Sequence, residues 1–220
     1  QFVDKIIIIG SLNLSKQNFS DILRLRNNND VIDSKSFKPK VLIFPADIEL
    51  NPSVFSAGVY SISYNISFLK ACLVLAKQYP QINFQFKLKD PSQIDIYNNW
   101  KEFKELQLSD YPNFNILKRP RMKFMDLLSE SELVISIGFT TPGIDAILLG
   151  KKSIYYNKLD GAGMLFKKIP DFVARDTSEL VLFFKKLINE TKYSPINVNL
   201  LDPFLDGNAI ERIVNNLAKN

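Results

Sequence analysis

The sequence predicts an α/β fold: a Rossmann-like, doubly wound parallel sheet of about six strands with helices on both faces. Three observations carry that expectation. Short runs rich in Ile, Val, Phe and Tyr recur along the chain, and most are too continuous for a sheet with one wet face. Helical patterns lie between them, so strand and helix alternate about six times, the rhythm of right-handed βαβ units. At 220 residues, the chain has the length of one ordinary domain.

The strand candidates are KIIIIG (5–10), KVLIFPA (40–46), INFQFKL (82–88), FNIL (114–117), ELVISIG (132–138) and KSIYYN (152–157), with a shorter run, DFVA, at 171–174. QNFSDILRLR (17–26) is short and amphipathic, and SYNISFLKACLVLAKQYP (63–80) sets Ile66, Leu69, Leu73, Leu75 and Ala76 on one broad face. PSQIDIYNNWKEFKEL (91–106) reads as one helix, with Asp90 as N-cap and Pro91 at the first helical position. KFMDLLSES (123–131) is another helix candidate. TPGIDAILLG (141–150) places Thr141 at the N-cap, Pro142 at the first position and Gly150 as the stop. DTSELVLFFKKLINET (176–191) and DGNAIERIVNNLAKN (206–220) complete the series. The polar stretch 27–40 reads as a surface loop and 189–207 as a long connection, so the expected organisation is a single domain over 1–220 that ends in the 206–220 helix.

Composition narrows the chemistry. The formal net charge is +5 and the isoelectric point about 9.1, which favours anions such as phosphates, nucleotides or an acidic membrane surface. Without a dense basic stripe or a nucleic-acid motif, nucleic acid is not an expected partner. Hydrophobic residues make up 46% and charged residues 23%, as in a soluble globular protein. No apolar run approaches the ~20 residues of a membrane span. No signal-peptide pattern is present, and a first residue of Gln suggests a fragment or a processed product. Cys72, the single cysteine, sits in an apolar helical stretch and reads as a core residue. The chain has no histidine, which removes His acid–base catalysis, Ser-His-Asp triads and His metal sites.

In an open parallel sheet, ligands bind beyond the carboxyl ends of the strands. The loop GFTTPG follows the strand at 132–138, and a helix starts just after it. Unpaired N–H groups and the helix dipole make such a start favourable for anions. Gly138 allows close backbone approach, Thr140 and Thr141 add hydroxyl donors, and Gly143 leaves the first turn unshielded. The stretch is either a phosphate cradle or simply a tight turn with a well-capped helix; it is neither a Walker loop nor a GxGxxG motif. Two further loops at the same rim are cationic. Lys87 and Lys89 end one strand two residues apart, and Lys118, Arg119, Arg121 and Lys123 follow another. Each is either a solvated surface or part of a polyphosphate or nucleotide site.

The segment ESELVISIGFTTPGIDAILLGKKSIYYN resembles the donor-binding, C-terminal half of GT-B glycosyltransferases of the bacterial surface-polysaccharide type, a group including polyol-phosphate polymerases, polysialyltransferase-like and Kdo-transferase-like enzymes. In that group a DLVIS strand leads into a Ser/Thr-rich turn and a PGIEALLLGKPVI helix–strand segment. The opening VDKIIIIGSLN and the closing DPFLDGNAIERIVNNL are also similar to the group, so the likeness extends over the whole chain but over only half of such an enzyme. Relatives often carry a His-Pro pair after the third strand, where this chain reads KLKDP.

The resemblance implies a CMP-, CDP- or UDP-linked sugar or polyol as donor. Its phosphate would be held by Gly138, Thr140, Thr141 and the N–H groups near Gly143, with Lys87 and Lys89 neutralising the leaving nucleotide. Arg119, Arg121 and Phe124 would flank the base, and Asp145 would either bind a ribose hydroxyl or support the first helical turn. It implies no metal and no cofactor. The catalytic base would lie in an absent N-terminal half, which would also bring the glycan or lipid-linked acceptor. The implied location is cytoplasmic, and peripheral association with the inner face of the plasma membrane is compatible with the basic charge. Two other readings stay open: a sugar-nucleotide epimerase-like domain, which shares the architecture, and a Rossmann-like interaction module with a vestigial site.

Overall fold

In the computed structural model, the described residues are 39–48, 61–117, 124–137, 140–158, 173–190, 206 and 208–218. The predicted strand 5–10, the helix 17–26, nearly all of the loop 27–40 and most of the connection 189–207 lie outside them. Six strands form one sheet: β1 Lys40–Phe44, β2 Asn83–Lys87, β3 Phe114–Leu117, β4 Leu133–Ile137, β5 Lys152–Tyr156 and β6 Val173–Ala174. Every pairing is parallel, and the spatial order is β3-β2-β1-β4-β5-β6. This is the doubly wound order of a Rossmann-like sheet.

The helices are α1 Ile62–Gln78, α2 Gln93–Asn98, α3 Lys101–Lys104, α4 Phe124–Ser129, α5 Thr141–Leu148, α6 Thr177–Ile188 and α7 Ala209–Leu217. They fall on both faces because side chains alternate along each strand. Val41 and Ile43 of β1 join Phe84, Phe86, Leu133, Ile135, Ile154 and Tyr156 in one core, closed by α1 and α6. Leu42, Phe44 and Val134 point the other way and meet Leu127 and Leu128 of α4 and Ala146 and Leu148 of α5. Cys72 is fully buried in the first core, and burial pushes its thiol pKa up, as suits an inert packing residue.

Local chemistry sets the helix ends. Ser61 caps α1 by accepting from the N–H of Tyr64. Asp176 caps α6 through the N–H of Glu179, and the Glu179 carboxylate reaches back to the N–H of Arg175, a variant of the capping box. Gly150 stops α5 as expected: its φ is 73°, and Gly150 N–H and Lys151 N–H bond back to Ile147 O and Ala146 O, the double closure that a glycine in left-handed conformation permits.

Two expectations are corrected. The helix predicted over 91–106 is two pieces, broken at Asn99 and Trp100. Tyr97 and Phe103 must both reach the core, where their rings lie 5.3 Å apart. Six residues along a continuous helix would set them about 120° apart around its axis, and the chain instead bends, next to asparagines whose side chains compete for backbone hydrogen bonds. Asp90 bonds the N–H of Ser92 in the turn before α2, while Ser92 holds the N-cap position. The second correction is that α5 begins one residue early: Thr140, not Thr141, is its N-cap, and its side chain makes no capping hydrogen bond.

Packing also explains a residue inside α5. A β-carbon placed on Gly143 would lie 2.6 Å from the Tyr155 ring and hydroxyl. Tyr155 is fully buried, so the helix can approach β5 only where it has no side chain. Gly143→Ala is therefore expected to destabilise the fold by about 1–3 kcal/mol through overpacking, measured by denaturant unfolding. Gly143→Ala combined with Tyr155→Leu should recover part of that loss; strictly additive losses would show that the contact is not the cause.

A candidate anion-binding site at the crossover of the sheet

β1 and β4 are neighbours in the sheet, yet the chain leaves them toward opposite faces. After β1 it goes to α1, packed over Val41 and Ile43. After β4 it goes to α5, packed over Leu42 and Phe44. The two connections diverge and open a crevice beyond the carboxyl ends of β1 and β4, the place where doubly wound sheets bind ligands. Among the described residues, Pro45 to Ile48 after β1 and Thr140 with the first turn of α5 after β4 stand at this end of the sheet.

On the β4 side, Thr140 has extended backbone (φ −107°, ψ 155°), and its carbonyl accepts the N–H of Ile144 at 3.1 Å. Its Oγ1 is buried, with no hydrogen-bond partner among the described residues. Thr141, next in sequence, is exposed, so the two threonines face different surroundings. Gly143 meets the Tyr155 phenol rather than open space. Gly138 lies outside the described residues.

The sheet face that packs against α5 carries hydroxyls that local sequence reasoning did not single out. Ser136 is wholly buried and pairs in register with Phe44 on one side and Tyr155 on the other. Ser153 on β5 is also wholly buried. The Oγ atoms of Ser136 and Ser153 have no partner among the described residues. The available signal was a serine inside each otherwise apolar run, LVISI and KSIYY. Buried polar groups are normally bonded, and of these two serines Ser136 is the nearer to the carboxyl end of the sheet, Ser153 lying two residues farther back opposite Val134.

Asp145 lies one turn beyond Thr141 on the same side of α5. Burial pushes its carboxyl pKa up to about 6. No cation pairs with it among the described residues. This half-buried acid disfavours its own charge, a property typical of groups kept for binding rather than for stability.

The lysines are placed differently from expectation. β2 ends at Lys87, Leu88 is buried, and Lys89 lies in the bend beyond. Lys87 Nζ donates to the carbonyl of Leu88 at 2.6 Å, and partial burial lowers its pKa. Lys89 Nζ pairs with Asp47 Oδ2 at 2.5 Å, and Gln93 Nε2 donates to Asp47 Oδ1 at 3.4 Å. Asp47 thus ties the loop after β1 to the segment after β2, and part of the positive charge of Lys89 is already answered. Two strand spacings separate β2 from β4, so the lysines lie about 10 Å to one side of the Thr140 turn. Arg119 and Arg121 lie outside the described residues, as does the side chain of Phe124, whose backbone opens α4.

At the end of β5, the Tyr64 hydroxyl accepts the N–H of Lys158 at 2.8 Å, and Lys158 Nζ reaches Ser67 Oγ at 3.2 Å, fastening that loop to α1. Among the described residues, no cluster of His, Cys, Asp and Glu has a metal-binding arrangement. No helix among them is long and apolar enough to cross a membrane.

Solved structures share this architecture. The UDP-GlcNAc 2-epimerase of Methanocaldococcus jannaschii, in complex with UDP-GlcNAc and UDP, superposes with a TM-score of 0.65 at 14% identity, over 99% of this chain and 56% of that one. The wall teichoic acid polymerase TagF, solved with CDPG, gives 0.54 at 16% identity, over 98% and 51%. HepE of Anabaena, in complex with UDP and glucose, gives 0.52 at 16% identity, over 96% and 55%. At these identities the likeness is one of fold, that of half a GT-B arrangement, and the chain spans about half the length of each. Among curated proteins no sequence match is found. The family model of polysaccharide biosynthesis PFTS motif proteins matches residues 4–186, most of the chain, and the chain belongs to that family.

Proposed function

We propose that this chain is the donor-binding half of a glycosyltransferase acting in bacterial surface-polysaccharide synthesis, with the phosphate of a nucleotide-activated sugar or polyol held at the Thr140–Thr141 turn and the start of α5. The observation that carries this reading is the location of the α5 start: it follows β4, whose pairing with β1 marks the reversal of strand order, and the buried Oγ1 of Thr140 and Oγ of Ser136 have no partner among the described residues. The match to a polysaccharide-biosynthesis family supports the reading in a second way.

The chemistry follows from the residues. Free N–H groups in the first turn of α5 would bond phosphate oxygens, aided by the helix dipole and the Thr141 hydroxyl. A donor loses a nucleoside mono- or diphosphate as its glycosyl or polyol-phosphate group moves to the acceptor, so charge grows on the leaving phosphate. Fixed donors stabilise that charge without proton transfer. Lys87 and Lys89 would add longer-range attraction; Asp145, one turn along α5, would accept from a ribose hydroxyl; Arg119, Arg121 and Phe124 would flank the base. The site is proposed to work without a metal or cofactor. The catalytic base and the acceptor, a glycan or lipid-linked chain, would come from a second half at the cytoplasmic face of a membrane, so the chain alone would bind donor and transfer nothing.

Titration of the chain with CMP, CDP and UDP, followed by NMR or by thermal shift, should show saturable binding at millimolar concentration or below. Thr140→Ala with Thr141→Ala should weaken it by at least about tenfold, the loss expected for hydrogen bonds to a charged group. If the wild-type chain binds none of the three nucleotides, the interaction-module reading stands instead. Epimerised nucleotide sugar as the product of a longer protein containing this chain would favour the epimerase-like reading.

Asp145 gives a second test with a defined sign. Its carboxyl holds a proton more tightly in the folded chain (about 6) than at its ordinary 3.8. The folded state therefore binds more protons between those values, and stability falls as pH rises through that window. Asp145→Asn should stabilise the fold at pH 7 by about 2 kcal/mol, less than the full shift implies because the side chain is not wholly buried. The gain should disappear below pH 3.8. The same variant should bind nucleotide more weakly; unchanged affinity would remove Asp145 from the site.

A further inference from the structure

The geometry points to a second binding site, for a neutral sugar ring, at the opposite end of the sheet from the crevice. A cavity of about 290 Å³ lies where α1 turns into β2 and the chain enters β3, lined by Pro80, Asn83, Pro112, Asn113 and Asn115. That is the small end of the range for ligand sites, on the order of 300 Å³ upward. Strand length and the two strand spacings between β2 and β4 put it about 20 Å from Thr140.

The lining amides are held in defined orientations. The two hydrogens of Asn113 Nδ2 serve three carbonyls, those of Ala76, Tyr79 and Ile82, at 3.0, 3.1 and 3.0 Å, one of them shared. That bond set fixes which end of the amide is nitrogen, and it leaves Oδ1 without a donor among the described residues. Asn115 Nδ2 donates across the strands to Asn83 Oδ1 at 3.2 Å. This leaves Asn115 Oδ1 as an acceptor and Asn83 Nδ2 as a donor, neither with a protein partner among the described residues. The cavity therefore offers acceptors and a donor side by side, two proline rings, and no charged side chain in its lining. Asn115, Pro80 and Pro112 are exposed, so the site can be reached from solvent.

A ligand that matches this surface is uncharged, donates and accepts through neighbouring groups, and has an apolar face. A pyranose ring meets all three conditions: its hydroxyls do both, and its C–H face can lie against proline. A phosphate or carboxylate would find no cation to answer it. The site does not depend on the donor reading, since its residues and its ligand are distinct from those of the crevice.

The test is NMR titration of the isotope-labelled chain with N-acetylglucosamine, methyl glucoside and a neutral trisaccharide such as maltotriose. At least one should move the side-chain amide signals of Asn83, Asn113 and Asn115 saturably, at millimolar concentrations. Asn83→Ala and Asn115→Ala should each weaken that binding roughly fivefold, the effect of one neutral hydrogen bond. UDP should leave these signals in place while moving those of Thr140 and Thr141, so failure at one site is distinguishable from failure at the other. No saturable movement with any of the sugars at tens of millimolar would overturn the proposal. So would undiminished binding by the doubly substituted chain, or a response to glucose 1-phosphate stronger than to the neutral sugars.

Discussion

The pairing of β1 with β4 is the contact on which the rest of the molecule depends. Val41 to Phe44 run beside Leu133 to Ser136 in parallel register, and both strands are almost entirely buried. Ladder hydrogen bonds and apolar burial on two faces hold them together. Because β1 continues to one face and β4 to the other, this one pairing makes the sheet doubly wound and opens the crevice at its carboxyl edge. The start of α5 stands at that carboxyl edge because β1 lies beside β4 and leaves in the other direction.

The α5 side of that crevice is built from compromises between packing and polarity. Gly143 lets the helix settle onto Tyr155, which brings the first turn of α5 down over β4 and β5. In the same layer Ser136 and Ser153 replace the apolar residues that a purely structural sheet would carry there, and their hydroxyls go unanswered within the described protein. Asp145 adds a half-buried carboxyl in the next turn. The unanswered hydroxyls and the half-buried carboxyl work against stability, and they gather along α5 and the sheet face beneath it. Strain and unmet polarity gathered in this way are what binding sites tolerate and cores do not.

Most of the described framework was legible in the sequence. Runs such as KVLIF, FNIL and LVISI have few structural options, and the observed strands begin and end within one or two residues of the expected ones. The misreadings come from interactions that local pattern does not encode. The break between α2 and α3 follows from the need of Tyr97 and Phe103 to share one core, and periodicity alone joined them into a single helix. The one-residue shift in the cap of α5 arose because adjacent threonines suit that position equally well. Lys89 looked like an open cation because its partner, Asp47, lies 42 residues away in sequence and meets it only across the sheet edge. Gly143 was assigned to ligand access when its immediate neighbour is Tyr155, again a contact that only the fold supplies.

The short link from α5 to β5 governs how the crevice can move. Only Leu149, Gly150 and Lys151 separate them, and this link is fastened at several points: Lys151 N–H to Ala146 O, Gly150 N–H to Ile147 O, and Lys151 Nζ to the Ser129 carbonyl at the end of α4. Burial lowers the pKa of that lysine to about 8. The rear of α5 is thus clamped to the sheet, as a cantilever is fixed in a wall, while its front end carries the threonine turn. A swing of the whole helix is thereby resisted, so whatever the first turn of α5 presents is held in place in advance.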